Sequence, residues 1–310
     1  MSLGFVFPGQ GSQSIGMMNG FAPTFPQIQE TFAQASQVLG YDLWQVVSAG
    51  PDDKLNSTDI TQPAMLTAGV ATWRVWLAQG GANPALMAGH SLGEYTALVC
   101  AGAIAFEDAV KLVAARGRYM QQAVPKGTGA MAAILGLEDA EVLAVCEQAA
   151  GSEIVEAVNF NSPGQVVVAG HKAAVERATE IAKQKGAKRA VILPVSVPSH
   201  CQLMKPAADK LAEDLRQIAI HSPEIKVINN VDAKSPDNAD TIRDALARQL
   251  YQPVRWVEVI QTMIQYGASS IIECGPGKVL VGLNKRIDKS VMHLAITDTD
   301  SLNAAISNNQ

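Results

Sequence analysis

Charged side chains are scarce in this chain of 310 residues, at 17%, while hydrophobic residues reach 48%. That balance excludes a disordered chain and leaves enough apolar material for a substantial core, in one large domain or two unequal ones. Lys and Arg number 24 against 29 Asp and Glu, a net charge of -5. Without a basic surplus to neutralise phosphates, general nucleic-acid binding is not expected, although a local basic patch remains open. Cysteine is sparse too. Cys100, Cys146, Cys201 and Cys274 form no CxxC pair, which fits reduced thiols better than a disulfide framework or a zinc site. The five histidines show no HExxH spacing, so no metal is expected. No apolar run reaches membrane length without a charge or a glycine, and Met1 to Phe7 carries no basic residue before Pro8-Gly9 interrupts it. The expectation is a soluble cytoplasmic protein with neither signal peptide nor membrane span.

What is present reads as α/β. Leu3 to Phe7 is a short buried strand ending in the turn Pro8-Gly9-Gln10-Gly11. Helical spacing runs from Pro26 to Leu39. A second helix opens at Thr61-Gln62-Pro63, with Pro63 in its first turn, and runs to about Trp76. Ala85 to Ala88 is a strand, Glu94 to Ala101 a helix, and Phe106 to Ala123 an amphipathic helix. The Gly- and Pro-rich stretch Val124 to Gly129 marks a boundary. Beyond it, strand (131–135), helix (140–150), strands (154–160 and 165–169), helix (173–185) and strand (189–195) spell βαββαβ, the order of a small ferredoxin-like domain. The larger unit resumes near Val197. Helices over 206–218, 241–250 and 254–266 and strands over 226–229 and 270–273 complete it. From Asp298 the polar tail is expected to fray. The expected division is a catalytic domain of residues 1–125 and 197–310 with residues 126–196 inserted.

The strongest chemical signal is Gly89-His90-Ser91-Leu92-Gly93. This G-x-S-x-G pattern lies between an apolar strand and a helix, the context in which a sharp turn lifts a serine hydroxyl above a sheet. The helix N-terminus beneath Ser91 favours developing negative charge, and the Leu92 N–H can face a reacting carbonyl oxygen. A serine nucleophile needs a base. His200, in Val197-Pro198-Ser199-His200, is the choice, because His90 adjoins the nucleophile and its ring should point elsewhere. Cys201 is a rival nucleophile with a poorer setting. No acid between Ser91 and His200 follows a strand in the usual manner of a triad. The histidine is therefore expected to be oriented by a backbone carbonyl. Arg116, among small apolar neighbours, is either a snorkelling surface residue or a buried cation whose planar fork suits a carboxylate. Gly9-Gln10-Gly11 lacks the third glycine of a dinucleotide fingerprint, and Gly275-Pro276-Gly277-Lys278 is followed by Val279, so neither is a nucleotide loop.

Taken together, Phe7 to Gln13, Thr61-Gln62-Pro63-Ala64, Gly89 to Tyr95, Arg116-Gly117, Asn159 to Gln165, Val197 to His200 and Gly275 to Gly277 resemble the malonyl-coenzyme A:acyl carrier protein transacylases of bacterial fatty-acid synthesis. The resemblance implies an α/β-hydrolase-like core with an inserted ferredoxin-like domain. It implies Ser91 as the acylated nucleophile, His200 as its base, the Gln10 and Leu92 N–H groups as the oxyanion hole, and Arg116 as the partner of the malonyl carboxylate. It also implies that the Gln249 carbonyl orients His200, that Gln62 lines the site, and that Met120, Met131 and Asn161 form part of the wall. The substrate would be malonyl-CoA and the acceptor the phosphopantetheine thiol of an acyl carrier protein, with no permanently bound cofactor and the enzyme a monomer. Such carriers are acidic, so Lys188, Arg189, Lys285 and Arg286 are candidates for docking. A serine esterase or thioesterase, a discrete acyltransferase of a polyketide pathway and a non-catalytic carrier-protein scaffold are the rival readings.

Overall fold

The computed structural model describes residues 2–195 and 197–309. The expected domain limits at 1, 196 and 310 therefore fall outside the described residues. Five strands, β1 (Ser2–Phe7), β2 (Leu86–Gly89), β7 (Lys226–Ile228), β8 (Ala268–Cys274) and β9 (Met292–Ile296), form one sheet in the order β7-β2-β1-β8-β9. Every neighbouring pair is parallel. The unbroken apolar run of β1 is what a strand covered on both faces requires. Its alternate side chains feed two cores. Phe5 and Phe7 enter the cluster that holds α1 (Pro26–Leu39), α4 (Thr58–Ala78), α6 (Phe106–Ala123) and α9 (Lys205–Gln217). Val6 enters the opposite cluster, built with α11 (Trp256–Gln265) and α12 (Val279–Ile287).

Between α6 and Val197 the chain builds a second sheet. β3 (Gly129–Leu135), α7 (Asp139–Ala150), β4 (Val155–Ser162), β5 (Gln165–His171), α8 (Lys172–Gln184) and β6 (Arg189–Ile192) follow one another, and the strands lie in the order β4-β5-β3-β6, all antiparallel. This unit has its own apolar cluster. It is tied to the larger unit where the Val254 N–H donates to the Val158 carbonyl (2.8 Å) and the Phe160 N–H to the Val254 carbonyl (3.0 Å).

Several expectations need correction. α4 starts at Thr58, so Pro63 stands in its second turn, where its missing N–H leaves the Asp59 carbonyl without its i→i−4 donor. β6 stops at Ile192. The short helices α2 (Leu43–Ala49) and α3 (Asp52–Leu55) and the edge strand β9 carry too few periodic residues to announce themselves. The tail does not fray at Asp298. Asp298 caps α13 (Thr299–Ser307), accepting from the Ser301 N–H (2.8 Å) while the Asp298 N–H donates to Ser301 Oγ (3.0 Å), and Leu302 and Ala305 are buried. A reciprocal cap with two apolar anchors outweighs the polar composition. Among the described residues, no helix is long and apolar enough to cross a membrane.

One crossing positions the site. α6 passes so close to the start of α4 that a Cβ on Gly117 would lie 2.6 Å from Asp59 Cα and 2.7 Å from the Thr58 carbonyl oxygen. The neighbouring Arg116 thereby reaches Gln62 on α4. Gly117→Ala gains about 1 kcal/mol of helix propensity, but overpacking against backbone costs roughly 1–3 kcal/mol. Thermal denaturation of the variant should give a lower midpoint than the wild type. An unchanged or higher midpoint would contradict this close approach.

Candidate active site

The site lies beyond the carboxyl ends of β1, β2 and β7, where open parallel sheets present their ligand crevice. β2 ends at Gly89, and the chain turns so tightly into α5 (Gly93–Cys100) that Ser91 takes φ 52°. That left-handed conformation is costly for a residue with a Cβ. The turn also needs bare space: a Cβ on Gly93 would stand 2.0 Å from the Phe7 carbonyl oxygen. Around the elbow nearly every N–H is spent. That of His90 donates to the Phe7 carbonyl, that of Ser91 to Asn230 Oδ1 (2.7 Å), that of Gly93 to the His90 carbonyl, and that of Glu94 to the Ser91 carbonyl. Among the described residues, the Leu92 N–H has no hydrogen-bond partner, and neither has the Gln10 N–H in the turn after β1.

His200, itself at φ 66°, places Nε2 2.8 Å from Ser91 Oγ. Its Nδ1 lies 2.6 Å from the backbone carbonyl oxygen of Gln249, at the end of α10 (Ala239–Gln249). A carbonyl only accepts, so the proton sits on Nδ1 and the Nε2 lone pair faces the serine hydroxyl. Burial, then the positive charge of Arg116, holds the His200 imidazole down at about 3. The histidine therefore stays neutral throughout the physiological range. The neighbouring His90 points elsewhere, with Nε2 2.8 Å from Asn161 Oδ1 and its ring against Trp256. Cys201 is fully buried, donates to the Pro198 carbonyl, and has its thiol pushed up to about 12 by burial.

Arg116 is 1% exposed. It donates to Gln62 Oε1 (2.8 Å) and Gln249 Oε1 (3.0 Å), and its Nη2 stands 3.4 Å from Ser91 Oγ. The guanidinium lies over the Tyr95 ring at 5.3 Å, and Nε has no hydrogen-bond partner among the described residues. This is a desolvated cation beside Ser91, with no directly bonded carboxylate among the described residues. Gln62 Nε2 contacts the Met120 sulfur at 3.4 Å. Met131 is one layer out, packed in a small cluster with Cys201.

The structure thus brings together Ser91, His200, Arg116, Gln249, Gln62 and Met120, with Asn161 joined through His90. Lys188, Arg189, Lys285 and Arg286 are exposed and lie outside this cavity. Two buried residues escaped the sequence reading, Glu94 and Asn230. Asn230 takes the Ser91 N–H on Oδ1 and donates from Nδ2 to the Gly89 carbonyl (2.7 Å). Glu94 receives the Asn230 N–H (2.9 Å) and Gln249 Nε2 (2.8 Å) on one oxygen. The signal for Glu94 was a carboxylate immediately before the largely apolar run Tyr95 to Val99. For Asn230 it was an amide at the carboxyl end of a core strand.

A family model described as an acyl transferase domain matches residues 4–297. The chain is 59% identical over 302 residues to the malonyl CoA-acyl carrier protein transacylase of Escherichia coli (strain K12), covering 97% of this chain and 98% of the relative. Against the protein of that name from Bacillus subtilis (strain 168) the identity is 44% over 306 residues, covering 98% and 96%. Among solved structures, it is similar to a malonyl-transacylase in complex with a type II PKS acyl-carrier protein, with a TM-score of 0.99, 55% identity and full coverage of both chains. It is also similar to an acyl carrier protein S-malonyltransferase from Vibrio cholerae, with a TM-score of 0.96, 57% identity and coverage of 98% and 99%.

The tightness of the elbow can be tested directly. In Gly93→Ala the added carbon must push Ser91 off its contact with His200. Labelling of Ser91 by a serine-directed fluorophosphonate should slow by roughly tenfold or more, in line with 1–3 kcal/mol of overpacking. A variant labelled as fast as wild type would show that the close approach to Phe7 is not what shapes the turn.

Proposed function

Because the chain belongs to the acyl transferase family, and within it to the malonyl CoA-acyl carrier protein transacylases, we propose that it moves a malonyl group from malonyl-CoA to the phosphopantetheine thiol of an acyl carrier protein, through an ester on Ser91. The observation that carries this reading is the buried Arg116 guanidinium, 3.4 Å from Ser91 Oγ. In a malonyl ester the free carboxylate lies only two carbon–carbon bonds beyond the ester carbonyl, so a cation beside the nucleophile suits it. An acetyl group would leave that cation unmatched.

The chemistry follows from the placements. The Ser91 hydroxyl, which donates to His200 Nε2, gives up its proton there and attacks the thioester carbon. The carbonyl oxygen becomes negative and takes the unspent N–H groups of Leu92 and Gln10, each such donor being worth about 3 kcal/mol. The Gln249 carbonyl accepts from Nδ1 and stabilises the imidazolium. The intermediate collapses, and the departing coenzyme A sulfur takes the proton from Nε2. The carrier-protein thiol then repeats the sequence in reverse, giving ping-pong kinetics. A malonyl carboxylate on Arg116 offsets the smaller of the two effects that depress His200, burial being the larger.

The four-stranded unit over 126–196 is read as a ferredoxin-like insert in an α/β-hydrolase-like core of 1–125 and 197–310. The βαββαβ order, the antiparallel sheet and the separate apolar cluster support this. Docking of the acidic carrier is assigned to Lys188, Arg189, Lys285 and Arg286. Arg286 donates to Gln165 Oε1 (2.9 Å), Gln165 pairs with Leu135, and Leu135 pairs with Arg189. Gln165 and Arg189 are therefore about 10 Å apart across two strand spacings, which brings Arg286 and Arg189 to one end of the sheet. The four free cysteines fit a reducing cytoplasm and a partner there.

Intact-mass spectrometry after mixing with malonyl-CoA should show one malonyl adduct, which moves to the carrier protein when that is added. Ser91→Ala should form none, and a stable adduct on that variant would refute the assignment. In the same assay, reversing charge at Arg189 and Lys285 should slow only the second transfer. An unchanged rate would remove them from the docking surface. Arg116→Ala should collapse the malonyl-over-acetyl ratio of kcat/KM. A half-made buried ion pair costs on the order of 2–5 kcal/mol, so the expected change is a hundredfold or so. An unaltered ratio would remove Arg116 from substrate selection.

A further inference from the structure

Beneath the elbow lies a carboxylate that the transfer chemistry does not use. Glu94 is 2% exposed, and its Oε2 receives two hydrogen bonds, from the Asn230 N–H (2.9 Å) and from Gln249 Nε2 (2.8 Å). Each donor belongs to a residue that holds part of the site. Asn230 staples the nucleophile turn at both ends, taking the Ser91 N–H and donating to the Gly89 carbonyl. Gln249 orients His200 through its carbonyl, accepts Arg116 on its side-chain oxygen, and donates to the Ser91 carbonyl (3.0 Å). Asn230 is 139 residues from Ser91 along the chain and Gln249 is 158. They are brought to a common point by one oxygen.

We propose that Glu94 is a positioning residue whose carboxylate, as an anion, locks the serine turn, the histidine and the arginine clamp into one register. The inference rests on the transfer reading above. The physical reason is that a buried charged acceptor holds two donors far more firmly than a neutral one, and its loss orphans both. The anion also supplies negative charge to Arg116, with the Gln249 side chain bridging the two.

This arrangement carries its own signature in pH. Burial pushes the Glu94 carboxyl up to about 7, against the opposing pull of its hydrogen bonds from Gln249 and Asn230. The charged groups around it are Arg116 on α6, which lowers it, and Asp232 after β7, which raises it and is paired with Arg248 of α10. On its own helix the neighbouring Tyr95 hydroxyl is pushed up to about 12 by burial and stays neutral. His200, held near 3, contributes no titration in this range. As pH falls through about 7 Glu94 takes up a proton, and the lock weakens.

The test is the single-turnover rate of malonyl-Ser91 formation at saturating malonyl-CoA, followed by quench and intact mass from pH 5.5 to 8.5. Wild type should show an acid limb centred near 7. Glu94→Gln keeps an acceptor oxygen but no charge. It should be flat across this range and roughly tenfold below the wild-type plateau, the size expected for one charge-assisted contact. A variant that retains the wild-type limb and plateau overturns the proposal. If Glu94→Gln does not fold, judged by circular dichroism, the wild-type profile decides alone, and a flat profile overturns it. If wild type gains no malonyl mass at any pH, the transfer reading itself fails and this proposal falls with it.

Discussion

Ser91 occupies a backbone conformation that a residue with a side chain avoids, and the site depends on keeping it there. The strain has a use. It lifts the hydroxyl clear of the sheet and turns the next N–H, that of Leu92, away from every local acceptor. A relaxed turn would spend that N–H on the chain's own carbonyls and lose the proposed oxyanion donor. The restraint comes from far along the sequence. Phe7 blocks the turn from one side, and Asn230 holds it from the other with two 2.7 Å hydrogen bonds. Residues from the ends of three adjacent strands, β1, β2 and β7, must therefore be in register before Ser91 can take this conformation.

The second constraint is electrostatic. Burial first, and then the charge of the neighbouring guanidinium, make His200 a poor base, holding its imidazole down at about 3. The same guanidinium is incomplete without an anion, since among the described residues its Nε has no partner and its other donors rest on two neutral amides and the Ser91 hydroxyl. A substrate carboxylate satisfies both needs at once. On the proposed mechanism substrate selection rests on that contact, and Glu94, as proposed, holds the surrounding residues in place until it is made.

Much of this was legible in the sequence. The apolar strands and the Gly-rich elbow are local patterns, and local patterns survive folding. The βαββαβ run was readable from period alone, because its helices and strands are of ordinary length. The identity of the base came from a histidine at a chain reversal together with family resemblance. What stayed hidden was whatever depends on burial or on distant partners. Glu94 looked like a charge in the first turn of a helix, where acids are common. Asn230 looked like a loop amide. The burial of Arg116 was undecidable, because the close crossing at Gly117 that sinks it involves α4, more than 50 residues away. The tail helix was missed because its stability comes from two buried apolar residues and a cap, which a polar composition conceals.

The account stands on the nucleophile, the base and the clamp sharing one cavity in the way the chemistry requires. A crystal structure of the enzyme trapped as its malonyl-Ser91 ester measures that directly. It should show the ester carbonyl oxygen on the Leu92 and Gln10 N–H groups and the free carboxylate on both terminal nitrogens of Arg116, with Gln249 still holding His200. A carboxylate pointing to solvent, with Arg116 left on its two amides, would contradict it.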